Sequence, residues 1–215
     1  MNFNWLQSAA MGLSLGLSEL LPLSSDAARG LMRHCFGGGN EGPLYALLTH
    51  AAVLAVVVAM GDLELNRLRR TQKILKTPPK RRTGHPDLNS AGTLKLLRIA
   101  GLLAILGRLI SGSFSSGMDR LYLLAPMLLV TGVMLWLPSH HRTANKDGRH
   151  LTPADGLIIG LGALFAAVPG ISLVAVCASL AILRGADLRY AIRFSWLLLT
   201  LELLAAIGLD CLALV

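Results

Sequence analysis

Apolar residues along this chain run in long blocks separated by polar seams. Four blocks, at about 44–61, 94–113, 121–137 and 191–209, are long enough to cross a bilayer, whose apolar core of about 30 Å takes roughly 20 helical residues. Two further blocks, 5–23 and 155–183, are interrupted, the first by Pro22 and the second by the run PGIS at 169–172. Proline removes a backbone donor and clashes with the preceding turn, so neither block reads as one straight helix. The two resemble each other. GLSLGLSEL (12–20) and GLIIGLGAL (156–164) share glycines and leucines in the same register, and each is followed by a proline and then serine.

The pattern predicts an all-α polytopic membrane protein with about four full spans and two re-entrant helical hairpins. If both interrupted blocks dip in and return, three spans separate their starts. An odd number makes the second unit enter from the opposite face, which is an inverted-topology repeat. The chain then reads as one membrane domain, 1–215, with repeat 1 at about 5–113 and repeat 2 at about 121–215.

Composition supports this reading. The chain has 215 residues, 53% hydrophobic and 15% charged, with a mean hydropathy of +0.59. A soluble domain of this length needs more charge on its surface. The net charge of +8 is concentrated between the first two spans, including Arg67, Arg69, Arg70, Lys73, Lys76, Lys80, Arg81 and Arg82. A basic run can bind nucleic acid, but between two spans it marks a cytoplasmic loop, here about 62–93. A second basic seam, 138–150, falls on the same side, and 113–120 lies outside. Cys35, Cys177 and Cys211 are odd in number and far apart, which suggests neither a disulfide framework nor a zinc site. The N-terminus lacks the basic start of a cleavable signal and is read as part of the mature protein.

Several polar groups stand out against this background. Glu19 lies in an apolar block, where an ionisable side chain costs at least a few kcal/mol and marks a function. Its structural alternative is a snorkelling acid paired with Arg29 or Arg33. Ser24, Ser25 and Asp26 follow Pro22 and could cap the next short helix; the same free N–H groups suit a phosphate. Arg29 and Arg33, four apart, share a helical face and could hold phosphate or lipid headgroups. Gly170 and Ser172 offer a second turn with a hydroxyl. Arg108 either snorkels or pairs with an acid such as Glu19. Glu202 is either a bundle contact or part of a pathway, and Asp210 lies near the end of its span. His50 reads as a hydrogen-bonded core histidine. Arg184, Asp187, Arg189 and Arg193 read as anchors of the last span.

The stretch GLSLGLSELLPLSSDAARGL resembles the first signature of the undecaprenyl pyrophosphate phosphatase family of the bacitracin-resistance type, roughly G-x-x-E-G-x-T-E-F-L-P-[IV]-S-S-T-G-H-L. The stretch from GLIIGLGAL through VPGISLVAVC to RFSWLLL resembles the second, P-G-x-S-R-S-x-x-T, with its downstream F-S-x-L-L. The likeness covers nearly the whole chain. It implies inverted repeats with two re-entrant hairpins, a bacterial inner membrane location with the site facing outward, and a polyprenyl pyrophosphate as ligand. It further implies a chain shortened at its C-terminus by about two spans; four spans and two hairpins leave an open flank, for which a homodimer or hetero-complex is expected.

The departures fall on the chemistry. The family's first glutamate is Leu15 here, its histidine is Ala28, and its phosphate-gripping arginine is Leu173. Glu19, Ser24, Ser25, Pro169, Gly170 and Ser172 match. The resemblance therefore implies a protein that binds a polyprenyl phosphate or pyrophosphate with weak or absent hydrolysis, serving carrier recycling or translocation. The alternatives are an active phosphatase with a rebuilt site, or a structural subunit of a membrane complex. A rebuilt site would use Glu19 and Ser25 catalytically, Ser24, Ser25, Asp26, Arg29, Arg33, Gly170 and Ser172 on the phosphates, and Glu19 with Asp26 on a divalent cation (magnesium or calcium).

Overall fold

The computed structural model describes residues 5–36, 42–78, 85–115, 121–140 and 146–214, without the side chains of 113–115 and 121–123. Among the described residues all regular structure is helical. Trp5–Leu20 (α1) and Ser25–Phe36 (α2) form the first interrupted unit. Pro22 stands in the break between them, and the Ser24 hydroxyl accepts the Ala27 N–H at 3.3 Å. Asp26 in the first turn of α2 and Arg33 and His34 in its last complement the helix dipole.

Pro43–Met60 (α3) opens on a proline at its first turn, where the missing donor costs nothing. Gly61 joins it to Asp62–Lys76 (α4). This helix occupies the first half of the basic segment 62–93, ahead of its prolines. Leu68 and Thr71 are buried on one face, while the basic residues occupy the other. Counting charge finds the side of the membrane, but the three-to-four spacing of apolar residues decides whether the segment coils. Lys80, Arg81 and Arg82 lie outside the described residues.

Leu88–Ser115 (α5), 28 residues, is roughly 42 Å long at helical rise. Asp87 caps it, accepting from the Ser90 hydroxyl at 2.7 Å and from the amides of Asn89 and Ser90. The Ser90 hydroxyl and these amides hold the Asp87 carboxyl below its ordinary range despite partial burial. Leu121–Trp136 (α6) carries Pro126 inside it and ends in a 3-10 turn, Leu137–His140.

The second interrupted unit is Pro153–Phe165 (α7) and Leu173–Leu183 (α8). Thr152 and Asp155 form a reciprocal capping box at the start of α7, and Arg184 donates to the same Asp155 carboxylate. Arg184 is therefore tied to α7 rather than serving as a plain anchor. In the break Gly170 has φ of 96°, a conformation glycine adopts without strain. Leu188–Ala213 (α9) is capped by Asp187, which accepts from the amides of Arg189 and Tyr190.

The core lies where α5, α7, α8 and α9 meet, around Leu96, Ala100, Ile159, Ala181, Phe194 and Leu198. Close approach of α7 to α5 depends on small residues. A Cβ at Gly160 would lie 2.8 Å from the Ala100 Cα, and one at Gly156 would lie 3.0 Å from Leu96. Small residues four apart let membrane helices touch backbone to backbone. A second cluster joins Val53 and Val57 of α3 to Val174, Leu199 and Leu203.

The outside of the bundle is apolar. Leu13, Leu17, Leu48, Leu102, Leu129, Leu204 and Leu212 are exposed, whereas polar His50, Ser179 and Ser195 are buried. α3 and α9 are long and apolar enough to cross a membrane. This is a membrane protein turned apolar side out.

Candidate functional site: a polar chamber between the two breaks

α1 carries Glu19 one residue before its end, and α2 carries Ser25, Asp26 and Arg29 on its first turns. These four side chains line one chamber together with Ala166, Ala167, Ile171 and Leu173, from the break between α7 and α8. The two interruptions thus share one cavity. α3 adds His50, α5 adds Arg108 and Ser111, and α9 adds Glu202. Glu19 is half-buried, as are Ser25, Asp26 and Arg29.

Two polar side-chain pairs tie α9 to its neighbours around this space. Arg108 Nη1 lies 3.4 Å from Glu202 Oε1. His50 Nδ1 lies 2.7 Å from Asp210 Oδ2. Positions 202 and 210 are eight apart and so lie on one face of the helix. Both arginine and histidine come from other spans, so the acids of α9 are met from α5 and α3. The Arg108 partner is therefore Glu202 and not Glu19, because the guanidinium reaches across to α9.

The remaining candidates fall elsewhere. Ser24 is buried and caps α2. Ser172 is buried and caps α8, accepting from the Ala175 N–H at 3.3 Å. Its own N–H donates to the Thr131 hydroxyl at 3.3 Å, and that hydroxyl donates to the Gly170 carbonyl at 3.2 Å. These bonds fix the second break to α6. Ser24, Ser172, Gly170 and Arg33 do not line the chamber. Leu15 is in the core at 1% exposure, where a carboxylate would be stranded. Leu173, by contrast, stands in the chamber wall.

A chamber with three carboxylates, two guanidiniums, an imidazole and two hydroxyls is suited to an anionic or proton-exchanging ligand. Glu19 and Asp26 both reach it, but among the described residues no three His, Cys, Asp or Glu side chains gather closely enough to hold a metal ion. Sequence reasoning noted His50, Arg108, Glu202 and Asp210 singly. Their eight-residue spacing on α9 was the available signal; their partners, on distant spans, were not.

The chain matches the family described as Bacitracin resistance protein BacA over residues 8–215. It is similar to the undecaprenyl-diphosphatase of Carboxydothermus hydrogenoformans, with 29% identity over 211 residues, 96% of this chain and 73% of that protein. The undecaprenyl-diphosphatase of Pelotomaculum thermopropionicum is 29% identical over 194 residues, 90% of this chain and 70% of that protein. Undecaprenyl-diphosphatase 1 of Halalkalibacterium halodurans is 30% identical over 190 residues, 87% and 67% of the two chains.

Proposed function

Since this chain belongs to the BacA bacitracin-resistance protein family, we propose that it binds the diphosphate headgroup of a polyprenyl carrier lipid in the chamber between its two breaks. The observation that carries this reading is the chamber itself: Arg29, Arg108, Ser25 and Glu19 converge there from separate helices. Relatives that it resembles act, by name, on undecaprenyl diphosphate.

Arg29 and Arg108 supply the positive charge that a diphosphate needs. Ser25, in the first turn of α2, donates from its hydroxyl to a phosphate oxygen, beside the N–H groups at that helix start. Glu19 lines the same chamber from the end of α1, beside Ser25 and Arg29. A metal held by Glu19 and Asp26 lacks a third protein ligand among the described residues, and no step is assigned to one. Leu173 withholds a cation from the wall, so the headgroup is held less tightly than it would be with arginine there. On that ground turnover is slow, and the protein serves carrier recycling more by binding than by rapid hydrolysis.

The lipid tail runs in an apolar groove of about 500 Å³ along α1 and α3, lined by Leu13, Leu17, Leu20, Leu48, Val53 and Val56. Leu20, next to Glu19 in the chain, lines this groove. The two interrupted units form an inverted repeat. Their matched glycines and the positions of Glu19 and Ala163, in the same register and both in the chamber wall, support that arrangement. The site opens to the outer face of a bacterial inner membrane, and the open flank expected of four spans and two hairpins favours a homodimer.

Binding of undecaprenyl diphosphate to the detergent-purified full chain tests the reading, by native mass spectrometry with a lipid titration. Arg29→Gln weakens binding at least tenfold, and Leu173→Arg tightens it by a similar factor, as a charge-assisted hydrogen bond of about 1.5–3 kcal/mol requires. A wild-type chain with no affinity for this lipid, or an Arg29→Gln chain binding like wild type, refutes it.

A further inference from the structure

α3 is apolar throughout its membrane length except at its hydroxyls and His50. A histidine in such a helix must be hydrogen-bonded to be tolerated, and His50, at 4% exposure, is. A polar pair that only joins two spans needs no access to a cavity. His50 has that access, since it lines the chamber alongside Glu19, Ser25 and Arg108.

The direction of the ring matters. Nδ1 lies 2.7 Å from the Asp210 carboxylate, an acceptor, so the ring proton sits on Nδ1. The lone pair is then on Nε2, the nitrogen left for a chamber ligand. The charged groups around the chamber are Glu19, Asp26 and Arg29 from the first unit, Arg108 from α5, and Glu202 from α9. None of them offers a neutral nitrogen base.

We propose that His50, positioned by Asp210, is the general base by which this chain hydrolyses the diphosphate, an inference that rests on the headgroup-binding reading above. Water attacks the distal phosphorus, and its oxygen forms the new P–O bond. The bond from that phosphorus to the bridging oxygen breaks, and the electron pair stays on the bridging oxygen, now part of the lipid monophosphate. The proton leaving the water passes to Nε2. The products are inorganic phosphate and the polyprenyl phosphate, and the imidazolium then returns its proton to solvent. Asp210 stabilises that imidazolium without taking the proton, as a carboxylate beside a histidine base does. His50 is the catalytic residue and Asp210 a positioning residue.

The experiment measures phosphate release from undecaprenyl diphosphate by the full chain in detergent, with lipid binding recorded on the same samples. His50→Ala lowers kcat at least a hundredfold, the ordinary contribution of a general base, with KM within threefold of wild type. Added imidazole restores kcat at least tenfold in that variant and leaves wild type unchanged. Asp210→Asn lowers kcat at least tenfold at unchanged KM. The paired variant His50→Gln/Asp210→Asn, which leaves no buried charge, melts like wild type and is as slow as His50→Ala. The proposal is overturned by kcat within threefold of wild type in any folded His50 variant. A loss that imidazole does not rescue and that follows the melting temperature also overturns it. A wild-type chain that binds the lipid but releases no phosphate sinks this inference alone; a chain that does not bind it sinks the headgroup reading as well.

Discussion

Arg108 and Glu202 illustrate what a charge inside the bundle costs and how it is offset. Their side chains are 26% and 15% exposed, and the two heads lie 3.4 Å apart. Removing one partner strands the other, and an uncompensated buried charge costs about 3–5 kcal/mol. Partial exposure reduces that here to about 2–3 kcal/mol. Arg108→Leu therefore lowers the melting temperature in detergent, and Arg108→Leu/Glu202→Leu recovers most of the loss, because no charge is left behind. If the double variant melts below the single one, the pair is a net stabiliser and the desolvation argument fails. The same reasoning explains Leu15. It occupies the core at 1% exposure, so a glutamate there would be cut off from solvent, whereas Glu19, one turn later, reaches the chamber.

At the scale of helices, the matched glycines of the two interrupted units meet different fates. Gly156 and Gly160 are pressed against α5, but a Cβ at Gly12 meets only the Tyr45 hydroxyl at 3.9 Å, and one at Gly16 meets nothing within 4 Å. Both of the latter line the groove assigned to the lipid tail. Gly16→Trp should therefore fill the groove without a clash. Binding of undecaprenyl diphosphate falls at least tenfold in a lipid titration, while the melting temperature stays within about 2 °C, less than the shift of 1 kcal/mol in a domain of this size. Unchanged affinity would place the tail elsewhere. The breaks were legible in the amino-acid pattern because Pro22 and the PGIS run stand inside apolar blocks. α4 was not, because its density of charge hid the three-residue spacing of Leu68 and Thr71, the side chains it buries. Ser24 was legible as a cap and as a phosphate ligand alike, since a hydroxyl at a helix start serves both, and Ser172 only as a hydroxyl in a turn; their burial and bonds to Ala27 and Ala175 make both of them caps.

At the scale of the whole molecule, the chamber depends on contacts that local pattern does not encode. His50 and Asp210 are 160 residues apart, and a sequence read block by block supplies each acid and base but not its partner. Glu19 was legible by contrast, since an acid in an apolar block is conspicuous wherever it folds. The crossing of the chain through the bilayer follows from parity. On the proposed arrangement, in which α3, α5, α6 and α9 cross and both interrupted units return, the end of α4 and the end of α6 would share the basic, cytoplasmic side and the end of α5 would lie opposite. Exposed Cys35 and Cys211 are first replaced by alanine. In intact cells an impermeant maleimide then labels Ser115→Cys but not Thr77→Cys or Ser139→Cys until the membrane is opened. Labelling of Thr77→Cys and Ser139→Cys with Ser115→Cys protected would keep the parity and reverse the orientation. Labelling of Thr77→Cys and Ser115→Cys from one side would mean that α5 does not cross, and the two breaks would then enter from the same leaflet. A chamber open to the outer face requires the first of these outcomes, because only then does the first interrupted unit, with Glu19 and Arg29, enter from outside.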